Sequence, residues 1–195
     1  SFNYQIKGVF FPVGLPVDFH LGYSHTTMFP STKELFGDAL VFYVPNSDLK
    51  EEKSDNIDAG ISYTVNYIGL NIDFAVFFNS LSDLLSEVAI TDTTRQAINI
   101  AEAKAVGCEL VFELLPPNKD IGILLSYSFL DIRNTANNRT SDYLPYKPKH
   151  TLSIFTTYKF NKYFQTHLAL SSTSKQFYEI NGSWEIVDAN WLCDI

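Results

Sequence analysis

The sequence predicts an all-β fold, an antiparallel up-and-down sheet that crosses a membrane. Two observations predict it: apolar and polar side chains alternate with period two along nearly the whole chain, and short and long connections follow one another in strict order. The composition agrees, because 195 residues that are 46% hydrophobic, 15% aromatic and only 18% charged are an unusual blend for a water-soluble chain. An apolar outer face is therefore expected.

Several classes of protein are excluded by simple counts. No apolar run approaches the ~18 to 20 residues that a membrane-spanning helix needs, which excludes a helical membrane protein. A net charge of −8 argues against a nucleic-acid partner. Cys108 and Cys193 are too few and too far apart for a metal motif or a disulfide framework. The chain begins Ser1-Phe2-Asn3-Tyr4, with no Met and no signal core, and we expect that truncation removed what lay upstream.

Alternation is clearest between Leu70 and Asn79. One face of this segment is apolar and carries Leu70, Ile72, Phe74, Val76 and Phe78. The other face is mostly polar or small and carries Asn71, Asp73, Ala75, Phe77 and Asn79. The same pattern predicts strands at 17–24, 57–67 and 106–114, at about 120–132, 149–160 and 163–173, and a last one from Trp184, which gives about nine strands.

Connection lengths distinguish this sheet from a soluble β-sandwich, which alternates in the same way. Short turns are expected near 13–16, 67–69, 116–119 and 161–162, and long polar stretches near 28–54, 81–98, 133–148 and 174–183. Such an order is typical of an outer-membrane barrel, with tight turns at the periplasmic rim and long loops at the other. Strands of roughly 10 to 12 residues also match the length that a tilted strand needs to cross a bilayer.

Two segments within the long stretches have helical features. Residues 30–36 are predicted to form one helical turn. Leu81, Leu84, Leu85 and Val88 have helical spacing, but residues 83–91 could equally form a strand that extends beyond the membrane.

Four sequence motifs carry a resemblance to a known family. The most specific is Pro45-Asn46-Ser47-Asp48-Leu49-Lys50-Glu51-Glu52-Lys53-Ser54-Asp55-Asn56 followed by Gly60. It is similar to the Pro-Asn-x-x-Leu-Lys-Pro-Glu-x-Ser-x-Asn signature of the TonB-dependent receptors, the group that includes the cobalamin and ferric-siderophore receptors. Glu51 stands where that family usually has Pro, and Asp58 where it usually has Glu.

The other three motifs are spread along the chain. The run from Tyr23 to Gly37 resembles the family's strand that ends in an aromatic-Pro step and Glu-Leu-aromatic-Gly. Asn99 to Glu109 resembles its Asn-x-x-x-Ala-x-x-x-Gly-Val-Glu strand, with Cys108 at the Val position. Ser126 to Asp131 and Leu144 to His150 resemble the next strand and an aromatic-basic-Pro-x-His entry.

The resemblance implies a fold and a function beyond those that the pattern alone predicts. Family barrels have 22 strands around an N-terminal plug, so residues 1–195 are expected to be a partial barrel of about nine strands that lacks the plug domain and the terminal strand. The implied location is the outer membrane of a Gram-negative cell. The implied function is TonB-dependent uptake of a scarce ligand such as a ferric siderophore or cobalamin, with no enzymatic activity. Implied partners are outer-membrane lipid, the plug of the same full-length chain, the TonB complex through the missing N-terminal region, and a small-molecule or metal-chelate ligand.

Candidate site residues lie in two kinds of position, on the polar face of the strands and in the long loops. We expect the carboxylates of the polar strand face to line a solvated lumen rather than to act as acid and base. They are Asp58, Asp73, Glu109 and Glu113. Loop aromatics are candidates for ligand contact by analogy with the family. They are Phe29, Phe36, Tyr43, Tyr143 and Tyr146.

No catalytic residue, metal ligand set or cofactor site is expected. The histidines lack a metal spacing, and the chain has no phosphate loop or nucleophile elbow. Other hypotheses remain open from the residues alone: a passive porin, an outer-membrane barrel enzyme, or a secreted β-rich binding module.

Overall fold

The chain folds into a single long meander with a few small additions on one rim. The computed structural model describes residues 2–37, 42–91, 93–118, 120–136, 141–180 and 183–194. Its elements in chain order are β1 (Tyr4–Phe10), β2 (Val17–Met28), α1 (Thr32–Phe36), β3 (Tyr43–Val44), β4 (Glu52–Val65), β5 (Leu70–Ala89), β6 (Arg95–Leu114), β7 (Ile121–Asn134), β8 (His150–Asn161), β9 (Phe164–Thr173), β10 (Gln176–Ile180), β11 (Ser183–Val187) and β12 (Asn190–Asp194).

Nine of these strands form the meander, in the order β1-β2-β4-β5-β6-β7-β8-β9-β12. Every neighbouring pair along this path is antiparallel. The up-and-down sheet of about nine strands that the sequence predicts is thereby confirmed. The described sheet is open, with β1 and β12 at its two edges.

The strand register divides the sheet into an apolar face and a polar face. Ile61, Phe74 and Leu110 lie opposite one another on the apolar face of β4, β5 and β6. One position along, Ser62 lies opposite Asp73 on the polar face. Large apolar side chains remain accessible, Phe74 being 40% and Val106 52% exposed. A single sheet cannot cover this face by itself, so the apolar surface requires an external apolar environment.

The two rims of the sheet differ in their connections. Gly14 and Gly69 have φ values of 80° and 67° in the tight turns after β1 and β4, a conformation that glycine adopts readily. After β8, the Asn161 side-chain oxygen accepts hydrogen bonds from the backbone amides of Tyr163 at 2.8 Å and Phe164 at 3.1 Å. The end of the sheet where these turns join the strands is called the tight-turn rim, and the end with the longer connections is called the loop rim.

The long loop predicted at 81–98 is wrong. β5 and β6 are 20 residues each and join through 90–94, so most of the stretch 81–98 is strand. The helix suggested by Leu81, Leu84, Leu85 and Val88 is absent, and the extended-strand alternative is confirmed. A 20-residue strand is about 65 Å long, whereas a tilted strand crosses a bilayer in about 9 to 11 residues. The hairpin therefore projects well beyond the loop rim.

The last strand is also placed differently from the prediction. Trp184 lies in β11, which pairs with β10 in a separate hairpin, and the ninth meander strand is β12 instead. Periodicity could not separate these, because both segments are short and equally apolar. The helical turn predicted at 30–36 is present as α1, with Ser31 and Glu34 forming a capping box.

The few buried apolar side chains in the described residues lie near the loop rim. They are Tyr43, Ala97, Ala103, Ala105, Ala136 and Leu144. The sheet thus has no central core, and its loops pack against the projecting hairpin.

Candidate functional site

The polar face lines a concavity of about 670 Å³ over β1, β2, β4, β5 and β6. Asp58, Asp73 and Glu109 line it, together with His20 and Lys7. The predicted lumen residue Glu113 lies opposite Asn71 on the same face, nearer the tight-turn rim. All four predicted acids are thus brought to one face, and their exposure to a barrel lumen stays a prediction.

Glycines on this face make room for side chains from the neighbouring strand. Gly22 lies opposite Asp58, and a Cβ built at Gly22 would stand 2.4 Å from that carboxylate. Gly60 has the same relation to the His20 ring, at 2.4 Å. Larger residues at these glycines would push Asp58 and His20 into the concavity, so the glycines keep the wall flat.

Gly107 gives the same kind of space in the middle of the sheet. A Cβ there would lie 2.4 Å from the Phe77 ring and 2.3 Å from the backbone oxygen of Phe129. Phe77, an aromatic on the mostly polar face, therefore lies against its cross-strand glycine and forms part of the lining of the concavity.

Cross-strand hydrogen bonds satisfy the polar groups between β4 and β5. The Ser54 hydroxyl donates to the Asn79 side chain at 2.7 Å, and the Thr64 hydroxyl donates to Asn71 at 3.0 Å. The Ser62 hydroxyl donates to Asp73 in the same way. Such pairs are the unit of sheet stabilisation, and here they also fix the orientation of the wall carboxylate.

A second feature is an aromatic cluster at the loop rim, made by the segment 141–148 and the β10–β11 hairpin. The rings of Tyr143 and Phe177 stack with centroids 4.4 Å apart, and Trp184 lies 6.3 Å from Tyr143. Tyr146 stacks on Tyr178 at 6.0 Å. The Tyr146 amide donates to the Phe177 carbonyl at 2.8 Å, so backbone and rings join the two segments.

The aromatic cluster borders a pocket of about 400 Å³. Tyr143 and Phe177 line it on the loop side. Four cationic side chains also line it, Arg133, Lys147, Lys149 and Lys175, together with the Asp131 carboxylate. The Tyr178 hydroxyl donates to Glu185 at 2.6 Å, and this hydrogen bond raises the pKa of Tyr178. Aromatic rings beside cations form a surface that suits an anionic ligand with flat groups.

The predicted ligand-contact residues lie in three different environments. Tyr143 and Tyr146 belong to the aromatic cluster. Phe29, just before α1, is 66% exposed, and Phe36, the last residue of α1, is 73% exposed. Tyr43 is only 4% exposed, with the Lys33 ammonium 4.4 Å from its ring centroid. Burial raises the pKa of Tyr43 to about 12, with a contribution from the Glu87 carboxylate, so this ring packs against the hairpin and offers a ligand little surface.

Two asparagines from the family-like motifs hold the loop segment before β4 against the projecting hairpin. The Asn46 side chain donates to the Ala97 carbonyl at 3.0 Å. The Asn99 side chain donates to the carbonyls of Lys50 at 3.1 Å and Asp83 at 2.7 Å, and it accepts from the Lys50 amide at 2.9 Å. Asp83 has a φ of 53°, which is uncommon outside glycine. The motif therefore has a structural role that its sequence did not reveal.

Sequence reasoning missed Phe177, Tyr178 and Trp184 as members of the aromatic cluster. Residues 174–183 were expected to be a long polar stretch, whereas β10 occupies 176–180. The aromatic content of Phe177-Tyr178 and Trp184 was a usable signal, since exposed aromatic residues concentrate at recognition surfaces.

Within the described part of the chain, no cluster of three or more His, Cys, Asp or Glu side chains has a geometry that could hold a metal ion. In the same residues, no helix has the length and apolar character to span a membrane.

A family comparison identifies the fold. The profile described as "TonB dependent receptor-like, beta-barrel" matches residues 2–192, nearly the whole chain. The chain belongs to the TonB-dependent receptor β-barrel family. These are transport receptors of the Gram-negative outer membrane rather than enzymes. No curated protein matches the sequence.

Solved structures of TonB-dependent receptors share this fold at low sequence identity. The siderophore receptor PiuA from Acinetobacter baumannii aligns over 98% of this chain and 28% of its own, with a TM-score of 0.72 and 20% identity. The copper transporter OprC aligns over 98% of this chain and 30% of its own, with a TM-score of 0.71 and 16% identity. The ferric enterobactin receptor PfeA from Pseudomonas aeruginosa, in complex with enterobactin, aligns over 98% of this chain and 32% of its own. Its TM-score is 0.71 and its sequence identity 15%. This chain spans less than a third of the length of each.

Proposed function

We propose that this chain is part of an outer-membrane receptor that imports a scarce ligand, such as a ferric siderophore, by TonB-dependent transport. The observation that carries the proposal is the aromatic cluster of Tyr143, Tyr146, Phe177, Tyr178 and Trp184 at the loop rim of a family barrel wall. Loops at that rim are the part of such a barrel that meets the external medium.

The different characters of the two faces support a proposal for what each of them contacts in the membrane. The apolar face, with Phe74 and Val106 exposed, meets the lipid of the outer membrane. The polar face, with Asp58, Asp73, Glu109 and Glu113, faces the lumen and the plug domain of the full-length protein. Residues 1–195 are then a partial barrel, and the plug, the terminal strand and the segment that contacts the TonB complex belong to other parts of the full-length protein.

A ferric siderophore is favoured over cobalamin as the ligand. PiuA is described as a siderophore receptor, and PfeA was solved with enterobactin. In the present chain, Tyr143 and Tyr146 are 41% and 58% exposed, and Lys147 and Lys175 add positive charge beside them. Stacking on aromatic rings and attraction to lysine both favour an anionic chelate with planar arms.

The proposal is tested by uptake of radioactive iron bound to siderophores in cells that express the full-length receptor. Tyr143→Ala together with Phe177→Ala should lower the affinity for the transported chelate about tenfold. The reason is that a planar group of the ligand stacked on an aromatic ring contributes about 0.5 to 1.5 kcal/mol beyond burial. Tyr158→Ala, on β8 near the tight-turn rim, is the matched control and should leave affinity unchanged.

Energy dependence separates import from passive flow. Uptake through the wild-type receptor should stop when TonB is deleted or the proton gradient is collapsed. Uptake that continues under both conditions would mean that the barrel is a passive porin.

A further inference from the structure

We infer that the open edge of β5, at residues 84–89 of the projecting β5–β6 hairpin, binds an extended segment of another protein as an added strand. The segment that fits has apolar residues at alternate positions and a lysine or arginine opposite Glu87. The inference goes beyond ligand import, because it uses the backbone of the hairpin and not the aromatic cluster. It shares with the proposed function only the assignment of the loop rim to the external medium.

One edge of the projecting hairpin is covered by a loop of the same chain. On the β6 side, β3 pairs with residues 95–96 in parallel. The Arg95 amide donates to the Phe42 carbonyl at 3.0 Å, and the Asn46 side chain donates to the Ala97 carbonyl at 3.0 Å. These backbone groups of β6 therefore already have partners.

The opposite edge, along β5, is open. Pairing with β4 stops where Lys53 lies opposite Ser82, whereas β5 continues to Ala89. In the part of the chain that the structure describes, no strand pairs with residues 83–89 on that side. An open strand edge is a template for an added strand, and folded proteins usually cover such an edge or protect it with charges.

One hydrogen bond shows which backbone groups point out of the open edge. The Leu85 amide donates to the Glu52 carboxylate at 3.1 Å, so it points towards β4 and away from β6. In an antiparallel pair, every second residue turns its backbone groups to the same side. Glu87 and Ala89 therefore each present an amide and a carbonyl to the open edge, and Leu85 presents a carbonyl. An added strand can pair with all of these groups.

Apolar side chains beside the open edge provide a second kind of contact. Ser82 and Lys104 belong to a polar band that interrupts the apolar face of β5 and β6. Beyond this band, Leu84, Val88 and Ile98 continue the apolar face along the hairpin. They lie farther along β5 and β6 than the residues that a bilayer crossing needs, so lipid does not cover them. Apolar side chains of an added strand would pack beside them.

Two carboxylates flank the open edge. Glu52 is the first residue of β4, where an added strand would begin. The Glu87 side chain is 49% exposed, and Nη1 of Arg95 is 3.9 Å from its carboxylate. Opposite charges on neighbouring strands stabilise a sheet, and like charges destabilise it. The edge thus favours a segment that places a basic residue opposite Glu87.

A second copy of this chain does not fit the open edge. A two-fold pair of identical strands is antiparallel. Two copies inserted in one membrane have their β5 strands running in the same direction, so their open edges cannot join in this way. The occupant is therefore a segment of a different protein.

The experiment uses the detergent-purified full-length receptor and a labelled peptide, Thr-Val-Lys-Val-Lys-Val-Thr. Fluorescence anisotropy measures the binding, and hydrogen exchange measures the protection of the backbone amides. We expect the peptide to bind and to slow exchange at residues 85–89 while leaving residues 71–79 unchanged.

Methylated peptides test whether the backbone carries the binding. With a lysine opposite Glu87, both lysine amides of the peptide point at β5, and both neighbouring valine amides point away. Methylation of the lysine amides should weaken binding about tenfold, because it removes two hydrogen-bond donors. Methylation of two valine amides is the matched control and should change binding by less than about threefold.

Glu87→Pro is the corresponding change in the receptor. Proline removes the amide that points out of the edge and leaves the hydrogen bonds to β6 in place, a position at which edge strands accept it. It should weaken binding of the peptide about tenfold. Glu87→Gln keeps the amide and removes the charge, and it should weaken binding about threefold.

Several results would overturn the inference. They are no binding at up to about 1 mM peptide, or equal binding of the lysine-methylated and unmethylated peptides. Slow exchange at residues 85–89 before peptide is added would mean that another part of the receptor covers the edge. A receptor dimer in native mass spectrometry that Glu87→Pro dissociates would assign the edge to a second copy.

The methylated peptides bind the wild-type receptor, so their comparison stands even where Glu87→Pro does not fold. Iron uptake is measured separately on the same receptor. Loss of uptake with peptide binding intact would count against the import proposal alone, and loss of peptide binding with uptake intact would count against the added strand alone.

Discussion

The apolar and polar faces of the meander are built by the same strands but satisfy their side chains in different ways. On the polar face, Ser62 donates to Asp73, and Gly107 receives the Phe77 ring, so the wall is completed by contacts within the sheet. On the apolar face, Ile61 and Phe74 lie opposite each other and are still 37% and 40% exposed. The large apolar side chains of the apolar face are therefore left for its surroundings to cover, whereas the polar face is covered largely by contacts within the sheet.

This difference predicts where a charge can be introduced. The largest effect is expected at Phe74→Arg, which should lower the free energy of unfolding in lipid vesicles by ~2 to 4 kcal/mol, because it places a cation in hydrocarbon at mid-strand. Asp73→Arg, one residue away on the polar face, should cost far less. Denaturant titration of the full-length receptor in vesicles measures both.

Ile61→Arg and Ser62→Arg repeat the comparison on β4, with the larger cost expected at Ile61. Equal costs at the paired positions would mean that the faces are misassigned and that the apolar face does not meet lipid.

The faces themselves could be predicted from the sequence, because period-two alternation is a property of neighbouring residues. Asp73 and Phe74 differ in face for the simple reason that they are adjacent in a strand. The long β5–β6 hairpin could not be predicted as securely, because Leu81, Leu84, Leu85 and Val88 fit a helix equally well. Pairing with β6, together with the hydrogen bonds of Asn99, decides in favour of the strand.

The aromatic cluster depends on contacts distant in sequence. Tyr143 and Tyr146 could be proposed from their position in a loop, but their partners Phe177 and Tyr178 lie more than 30 residues away. Tyr43 has the same residue type and a similar loop position, yet packing against the projecting hairpin buries it. Residue type therefore identified candidate rings, and tertiary packing decided which of them are exposed.

Substitutions of the glycines test whether the polar face is closely packed by contacts between neighbouring strands. Gly107→Ala should cost about 1 to 3 kcal/mol, because its Cβ would meet a backbone oxygen at 2.3 Å and the Phe77 ring at 2.4 Å. Gly8→Ala is the control on β1, where nothing lies within 4 Å of the new Cβ, and it should be neutral or stabilise by up to about 1 kcal/mol.

The change in the free energy of unfolding caused by Gly22→Ala should lie between those of Gly107→Ala and Gly8→Ala. The new Cβ would meet the carboxylate end of Asp58, which can rotate away. Thermal or denaturant unfolding of the three variants gives the order. A Gly107→Ala receptor as stable as Gly8→Ala would show that the polar face is loosely packed at this point.

The smallest effect concerns the cross-strand hydrogen bonds. Ser54→Ala removes the 2.7 Å bond to the Asn79 side chain and should cost about 0.5 to 1.5 kcal/mol, the usual net value of one hydrogen bond. A double-mutant cycle with Asn79→Ala isolates the pair, and Ser80→Ala, one residue along on the apolar face, is the control. A coupling energy near zero would mean that water replaces the bond without cost, so that the polar face, like the apolar one, is completed mainly by what surrounds it.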